Sequence, residues 1–214
     1  MTTRTATTPS ARSRTARRRA QVRRRRFLLL GGLVVLAGLV AILVQPLFKH
    51  AVREIELPLR HEDIIRQQAA EKNLDPALLA GMIFVESKFS DRTSPVGAKG
   101  FMQLMPETAR FIAKRSGGTR FQLEDLGTPQ VNIAYGAWYM RYLLDHYRGN
   151  QVLAVAAYNA GETNVNTWLR RAATSGRDFR ASEIPFPETR AYVDRVLHAR
   201  DRYASTYRRE LGLR

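Results

Sequence analysis

The chain has 214 residues, 35 lysines and arginines against 19 acids, a net charge of +16 and no cysteine. Disulfides and a lipid attached through an N-terminal cysteine are therefore excluded. The length allows one domain, or one domain with an appendage.

The charge is uneven. Residues 1–26 carry ten arginines (Arg4, Arg12, Arg14, Arg17, Arg18, Arg19 and Arg23 to Arg26) and no acid, which leaves +6 of the +16 for the rest. This segment is poor in apolar residues and rich in Arg, Thr and Ser, the composition of a disordered tail. A basic tail can serve nucleic acid, but this one abuts the uncharged stretch Phe27 to Val44, FLLLGGLVVLAGLVAILV. As a helix those residues rise about 27 Å, enough to cross a hydrocarbon core. A cleaved signal has a shorter apolar core and a small-x-small site, and no convincing site follows Val44. Residues 27–48 are expected to form a single uncleaved transmembrane anchor in the inner membrane. The arginines then stay in the cytoplasm, and everything beyond the anchor is exported. On this reading the tail has no nucleic-acid partner. Residues 49–57 read as a linker, and 58–214 as one domain.

That domain reads as all-α. Residues 59–73 form a polar amphipathic helix. Asp75-Pro76 supplies an N-cap and a first-turn proline for a helix towards Lys88. Pro106-Glu107 opens another, closed by Gly117-Gly118. Thr128-Pro129 opens a long one, closed near Gly149. Asn150 caps a short apolar helix, Gln151 to Tyr158, which Gly161 stops. Pro187 starts the last. No strand-like alternation of useful length and no repeat is present.

Within this pattern Glu86 stands out. It ends the apolar run LLAGMIFVE, with Leu79 seven residues before it, Met82 four and Ile83 three. Those spacings share one helix face. Glu86 thus lies on the inward stripe near a helix C-terminus, where burial and the helix dipole both disfavour the carboxylate. An elevated pKa is what a general acid needs near neutral pH. The bland alternative is a side chain that reaches water at the helix end. Three more stretches carry polar groups beside glycine or proline. In SPVGAKGFMQLMP, from Ser94 to Pro106, Gly97 and Gly100 permit close backbone approach, and Gln103 offers the donor and acceptor that sugar hydroxyls need. Phe101, Met102 and Leu104 also suit a core. In AYNAG, Tyr158 and Asn159 stand at a helix end released by Gly161. In IPFPETRAYV, Glu188 sits at a helix start with Tyr192 one turn on. The histidines (His50, His61, His146, His198) are scattered, so no metal or other cofactor is expected.

VESKFS, GAKGFMQLMP, AYNAG and IPFPETRAYV occur in the order seen in the catalytic domain of soluble-type lytic transglycosylases, relatives of goose-type lysozyme. The resemblance covers roughly residues 58–205, and LDPALLAGMIFVES and VNIAYGAWYMRYLL extend it through connecting helices. Phe101 stands where that family more often has Leu, and the Glu86–Ser94 loop is one residue shorter than usual. The resemblance implies a lysozyme-like helical fold with a sugar groove, and peptidoglycan glycan strands as substrate. Glu86 is similar to the family's single catalytic acid and Ser94 to a serine that hydrogen-bonds near it. Met102, Gln103, Glu188 and Tyr192 resemble groove residues, and Tyr158 and Asn159 the pair facing the acid. It implies cleavage between N-acetylmuramic acid and N-acetylglucosamine with a 1,6-anhydro product. The rivals are a lysozyme-type hydrolase using a second carboxylate such as Asp91, and a non-catalytic wall-binding module.

Overall fold

In the computed structural model, residues 38, 40–45, 55–177 and 179–213 are described. The chain divides between Ile55 and Glu56 into two units. In the first, residues 40–45 are helical and exposed. The expected tail 1–26, and most of the expected anchor 27–48 and linker 49–57, lie outside the described residues. Among the described residues no helix is long and apolar enough to cross a membrane.

The second unit is built of helices: α1 (Glu62–Glu71), α2 (Pro76–Ser87), α3 (Pro106–Ser116), α4 (Pro129–His146), α5 (Gln151–Ala160), α6 (Glu162–Thr174) and α7 (Pro187–Thr206). Two 3₁₀ turns, Leu123–Gly127 and Ala181–Glu183, join them. The described residues hold isolated β-bridges only, Thr93 to Lys99 and Lys99 to Leu104. The all-α expectation is therefore met.

The chain's own signals set the ends. The Asp75 side chain accepts from the Ala77 amide at 2.8 Å, and Pro76 holds the first position of α2. Such a cap contributes about 1 kcal/mol. Thr128 and Asn150 cap α4 and α5 in the same way. The helix α6 was not legible from the sequence, where Gly161 reads only as a stop. Its φ of 83° and ψ of 148° let one residue end α5 and begin α6 at once; an L side chain would be strained there.

Helix α2 is apolar on every side, as a helix buried in a core must be. Residues 77–83 of it are all buried. Helix α7 crosses it at Gly81. A Cβ there would lie 2.8 Å from the Arg200 amide nitrogen and 3.2 Å from the Val196 oxygen. The domain's two ends are joined as well: the hydroxyls of Tyr203 and Tyr207 donate to the carbonyls of Pro58 and Leu57.

A buried asparagine holds the 98–104 loop on α4. Asn132 Oδ1 accepts from the Met102 amide at 2.8 Å, and its Nδ2 donates to the Lys99 and Leu126 carbonyls, each at 3.0 Å. Two glycines make room. At Gly100 (φ 76°) a Cβ would fall 2.0 Å from Asn132 Nδ2, and at Gly136 one would fall 2.2 Å from Met102 Sδ.

Candidate active site

Glu86 lies in the last turn of α2, half-buried. Its Oε1 accepts from the Tyr192 hydroxyl of α7 at 2.6 Å. Burial pushes its pKa up to about 7; the Tyr192 hydrogen bond and the positive charges of Arg92 and Arg195 oppose that rise without cancelling it. Burial wins because removing a carboxylate from water costs more than one neutral donor and two partly solvated cations return. Tyr192 is itself buried, and burial, together with the Glu86 charge, holds its hydroxyl well above the ordinary phenol range. It therefore remains a donor at any pH where Glu86 titrates.

Arg92 Nη2 donates to the backbone oxygen of Glu86 at 2.6 Å. That oxygen is one of the unpaired carbonyls at the end of α2, so the arginine both satisfies it and faces the negative end of the helix. Gln103 supports Arg92 in turn: its Nε2 donates to the Arg92 carbonyl at 3.0 Å and to that of Gly100 at 2.7 Å. The Gln103 backbone is left-handed, with φ 46°.

Tyr158, at the end of α5, donates to the Met102 carbonyl at 2.9 Å. Its acidity is suppressed by burial first and by the nearby Glu86 charge second. Met102 differs from its expected place in the groove. It is fully buried, its side chain filling the notch over Gly136, so it meets the site through its backbone. Ser94 spends its hydroxyl oxygen on its own turn, accepting from the Ala98 amide at 3.0 Å. Asn159 Oδ1 accepts from the buried Thr189 hydroxyl at 2.8 Å, which ties the end of α5 to the start of α7. Glu188 is exposed in the first turn of α7. Asp91 is exposed as well, and its Oδ2 lies 3.8 Å from where a Cβ of Gly127 would stand.

Sequence reasoning missed an aromatic wall. Tyr139 meets Tyr158 with ring centroids 5.5 Å apart and Tyr142 at 6.1 Å. Tyr142 stacks on Trp138 at 5.7 Å, with the edge of Phe111 at 5.5 Å. A recess of about 240 Å³ there is lined by Glu107, Thr108, Phe111, Tyr139 and Glu162. The signal was Phe111 in α3 with Trp138, Tyr139 and Tyr142 in α4, but at helical spacing these read equally well as core.

The family model described as "Transglycosylase SLT domain" matches residues 63–179. Over 169 residues the chain is 34% identical to the soluble lytic murein transglycosylase of Salmonella typhimurium, covering 74% of this chain and 24% of that protein. It is also similar to the solved lytic transglycosylase Slt of Pseudomonas aeruginosa, an inactive mutant (TM-score 0.66, 34% identity, 75% of this chain and 26% of that one). The 70 kDa soluble lytic transglycosylase of Escherichia coli gives a TM-score of 0.67 at 31% identity, over 75% of this chain and 26% of its own. This chain thus spans about a quarter of the length of these relatives.

Proposed function

The chain belongs to the transglycosylase SLT domain family, and from that premise we propose that it is a peptidoglycan lytic transglycosylase cleaving the β-1,4 bond between N-acetylmuramic acid and N-acetylglucosamine. The observation that carries the reading is a single carboxyl group, Glu86, to which the buried Tyr192 hydroxyl donates and whose pKa burial raises to about 7.

Two steps follow from one acid. In the first, Glu86 gives its proton to the glycosidic oxygen as the bond to the muramic C1 breaks, and N-acetylglucosamine leaves as an alcohol. In the second, the Glu86 carboxylate takes the proton of the muramic C6 hydroxyl while that oxygen bonds to C1. The product is a 1,6-anhydro ring, no water is consumed, and Glu86 returns to its starting form. Tyr192 suits both steps. Its hydrogen bond occupies Oε1 and leaves Oε2 to carry the proton. It then stabilises the carboxylate formed midway, together with Arg92 and Arg195. The nucleophile is part of the substrate, so the step is intramolecular, and well-oriented reactions of this kind reach effective molarities on the order of 10⁵ M. A second carboxylate, needed by most glycosidases, has no task here.

The sugars are assigned to Gln103, Asn159, Glu188 and the Tyr139–Tyr158 pair, each of which keeps some exposure. Met102 and Ser94 hold the loop behind them. Residues 27–48 are assigned as an inner-membrane anchor that leaves the catalytic unit on the wall side; protease added to intact spheroplasts would then digest residues 58–214 and spare the tail.

The deciding experiment is mass spectrometry of purified peptidoglycan digested by the full-length chain. Transglycosylase action gives muropeptide ends lighter by one water than the reducing ends of hydrolysis. Reducing ends sink the lyase reading, and no cleavage at all leaves the wall-binding module.

A further inference from the structure

The chain enters the catalytic unit against the far end of α7. There the Tyr203 hydroxyl donates to the Pro58 carbonyl, and the Tyr207 hydroxyl to that of Leu57 at 2.7 Å. Leu57 is buried and Tyr203 fully so. Tyr203 does more than hold this entry. Its ring meets Phe84 edge-on and Phe89 at a tilt, each with centroids 6.0 Å apart. Phe84 stands two residues before Glu86 and Phe89 three after it. One tyrosine thus braces the chain on both sides of the acid.

The brace opposes a strain. Helix α2 ends at Ser87, and the next two residues are left-handed without being glycine, Lys88 at φ 53° and Phe89 at φ 61°. Such backbone is costly and persists only where its surroundings hold it. The hold here is the Phe89 side chain, buried against Tyr203. The left-handed turn is also what closes α2. Were Phe89 to leave its place, the last turn of α2, which carries Glu86, would lose its stop and fray. Tyr192 and Tyr203 are eleven residues apart on α7, about three turns, and so share one face. The face that donates to the Glu86 carboxyl also braces the backbone that carries it.

We propose that Tyr203 is a positioning residue for Glu86, and that its bond to Pro58 makes the seating of the entry segment a condition of activity. With Leu57 and Pro58 in place, α2 stays closed at Ser87 and Glu86 stays half-buried. With them displaced, the last turn loosens and the reaction is turned down. This rests on the reading of Glu86 as the catalytic acid and adds a control over it.

The acid itself can be watched without turnover. Carbon-13 NMR follows the Glu86 carboxyl in the full-length chain, its signal identified by its absence from Glu86→Gln. Tyr203→Phe keeps the ring and removes the bond to Pro58. Pro58→Gly loosens the same entry and changes no residue of α2 or α7. Each should lower the Glu86 midpoint by about half a pH unit or more, because a less buried carboxyl ionises more readily. That direction is opposite to the effect of losing the Tyr192 donor. The decline of kcat/KM with pH should move down in step, with kcat falling about threefold or more and KM near its wild-type value. The double variant should shift no further than the larger single one, since both act through one contact. A loss of urea stability with the midpoint unmoved would make Tyr203 a structural clasp and overturn the proposal. So would a shift in Tyr203→Phe that Pro58→Gly does not share. Should Tyr203→Phe fail to fold, the midpoint in Pro58→Gly decides alone. Failure of the underlying reading looks different: wild-type protein makes no anhydro ends, and the midpoints still decide the positioning.

Discussion

The Tyr192 hydroxyl donates to Glu86 Oε1 at 2.6 Å across 106 positions of sequence. It joins the last turn of α2 to the first turns of α7, and it is the direct brake on the rise of the Glu86 pKa. The active form carries the proton on Glu86, so kcat/KM should hold below pH 7 and decline as pH rises through about 7. Tyr192→Phe removes a donor that favours the carboxylate. The decline should then move up by roughly one pH unit, while kcat falls about tenfold or more because the carboxylate formed midway loses its partner. A pH profile of peptidoglycan solubilisation checks both, and an unmoved decline would separate Tyr192 from the acid.

Arg92 acts on the same equilibrium from the other side. It stands at the Glu86 backbone carbonyl, exposed, and its charge lowers the acid's pKa. Arg92→Ala should move the decline in the same direction as Tyr192→Phe but by less. Salt should blunt the difference, since an exposed cation is screened within about 10 Å at 0.1 M. Profiles at low and high ionic strength distinguish this from a structural effect, which salt would leave in place.

How far these relations could be read in advance depended on their range. Glu86 declared itself because Leu79, Met82 and Ile83 precede it at helical spacing, a pattern contained in eight residues. Tyr192 could be placed beside a helix start but not against the acid, since that needs the crossing of α2 and α7, and the crossing is set by a glycine with no distinguishing neighbours. Met102 was placed by motif in the groove and lies instead under the Gly136 notch, whose depth only appears once α4 is packed. The aromatic wall was ambiguous because a Trp and two Tyr on one helix suit a core and a sugar face equally.

Glu86 also couples stability to pH. Its folded-state pKa, about 7, exceeds the ordinary 4.5, so the folded protein holds the proton more tightly than the unfolded chain. Stability from this group is full below 4.5, falls as pH rises from 4.5 to 7, and is flat above. The full swing is about 3 kcal/mol. Glu86→Gln removes the charge but keeps an acceptor for Tyr192. Urea unfolding should find it more stable than wild type at pH 8 and indistinguishable from it at pH 4, with transglycosylase activity abolished at both. Equal stability at pH 8 would mean that the carboxylate is solvated.

The 98–104 loop hangs on one side chain. Asn132→Ala leaves the Met102 amide and the Lys99 and Leu126 carbonyls without their partner in a buried place. The loss should be about 2–4 kcal/mol by urea unfolding. Activity should fall further than stability alone explains, because Gln103 and the Met102 carbonyl that receives Tyr158 move with the loop. Asn132→Asp keeps an acceptor for the Met102 amide but buries an acid against the Lys99 and Leu126 carbonyls, so at neutral pH its loss should be at least that of Asn132→Ala and should shrink as the pH falls.

Gly81 tests whether the site depends on the helix crossing as a whole. An added methyl would stand 2.8 Å from the backbone nitrogen of Arg200, and backbone cannot yield by a rotamer change. Gly81→Ala gains helix propensity of about 1 kcal/mol but must push α7 away from α2, an overpacking cost of about 1–3 kcal/mol. The net effect should be destabilising. The same displacement lengthens the Tyr192–Glu86 hydrogen bond, so the decline of activity with pH should move up, as in Tyr192→Phe, although the tyrosine remains in place. A stability loss with the pH profile unmoved would mean that α7 yields locally at Arg200 and that the acid and its tyrosine are held together by their own contacts. A joint shift would mean that one glycine, far from any substrate, sets the acidity of the catalytic group.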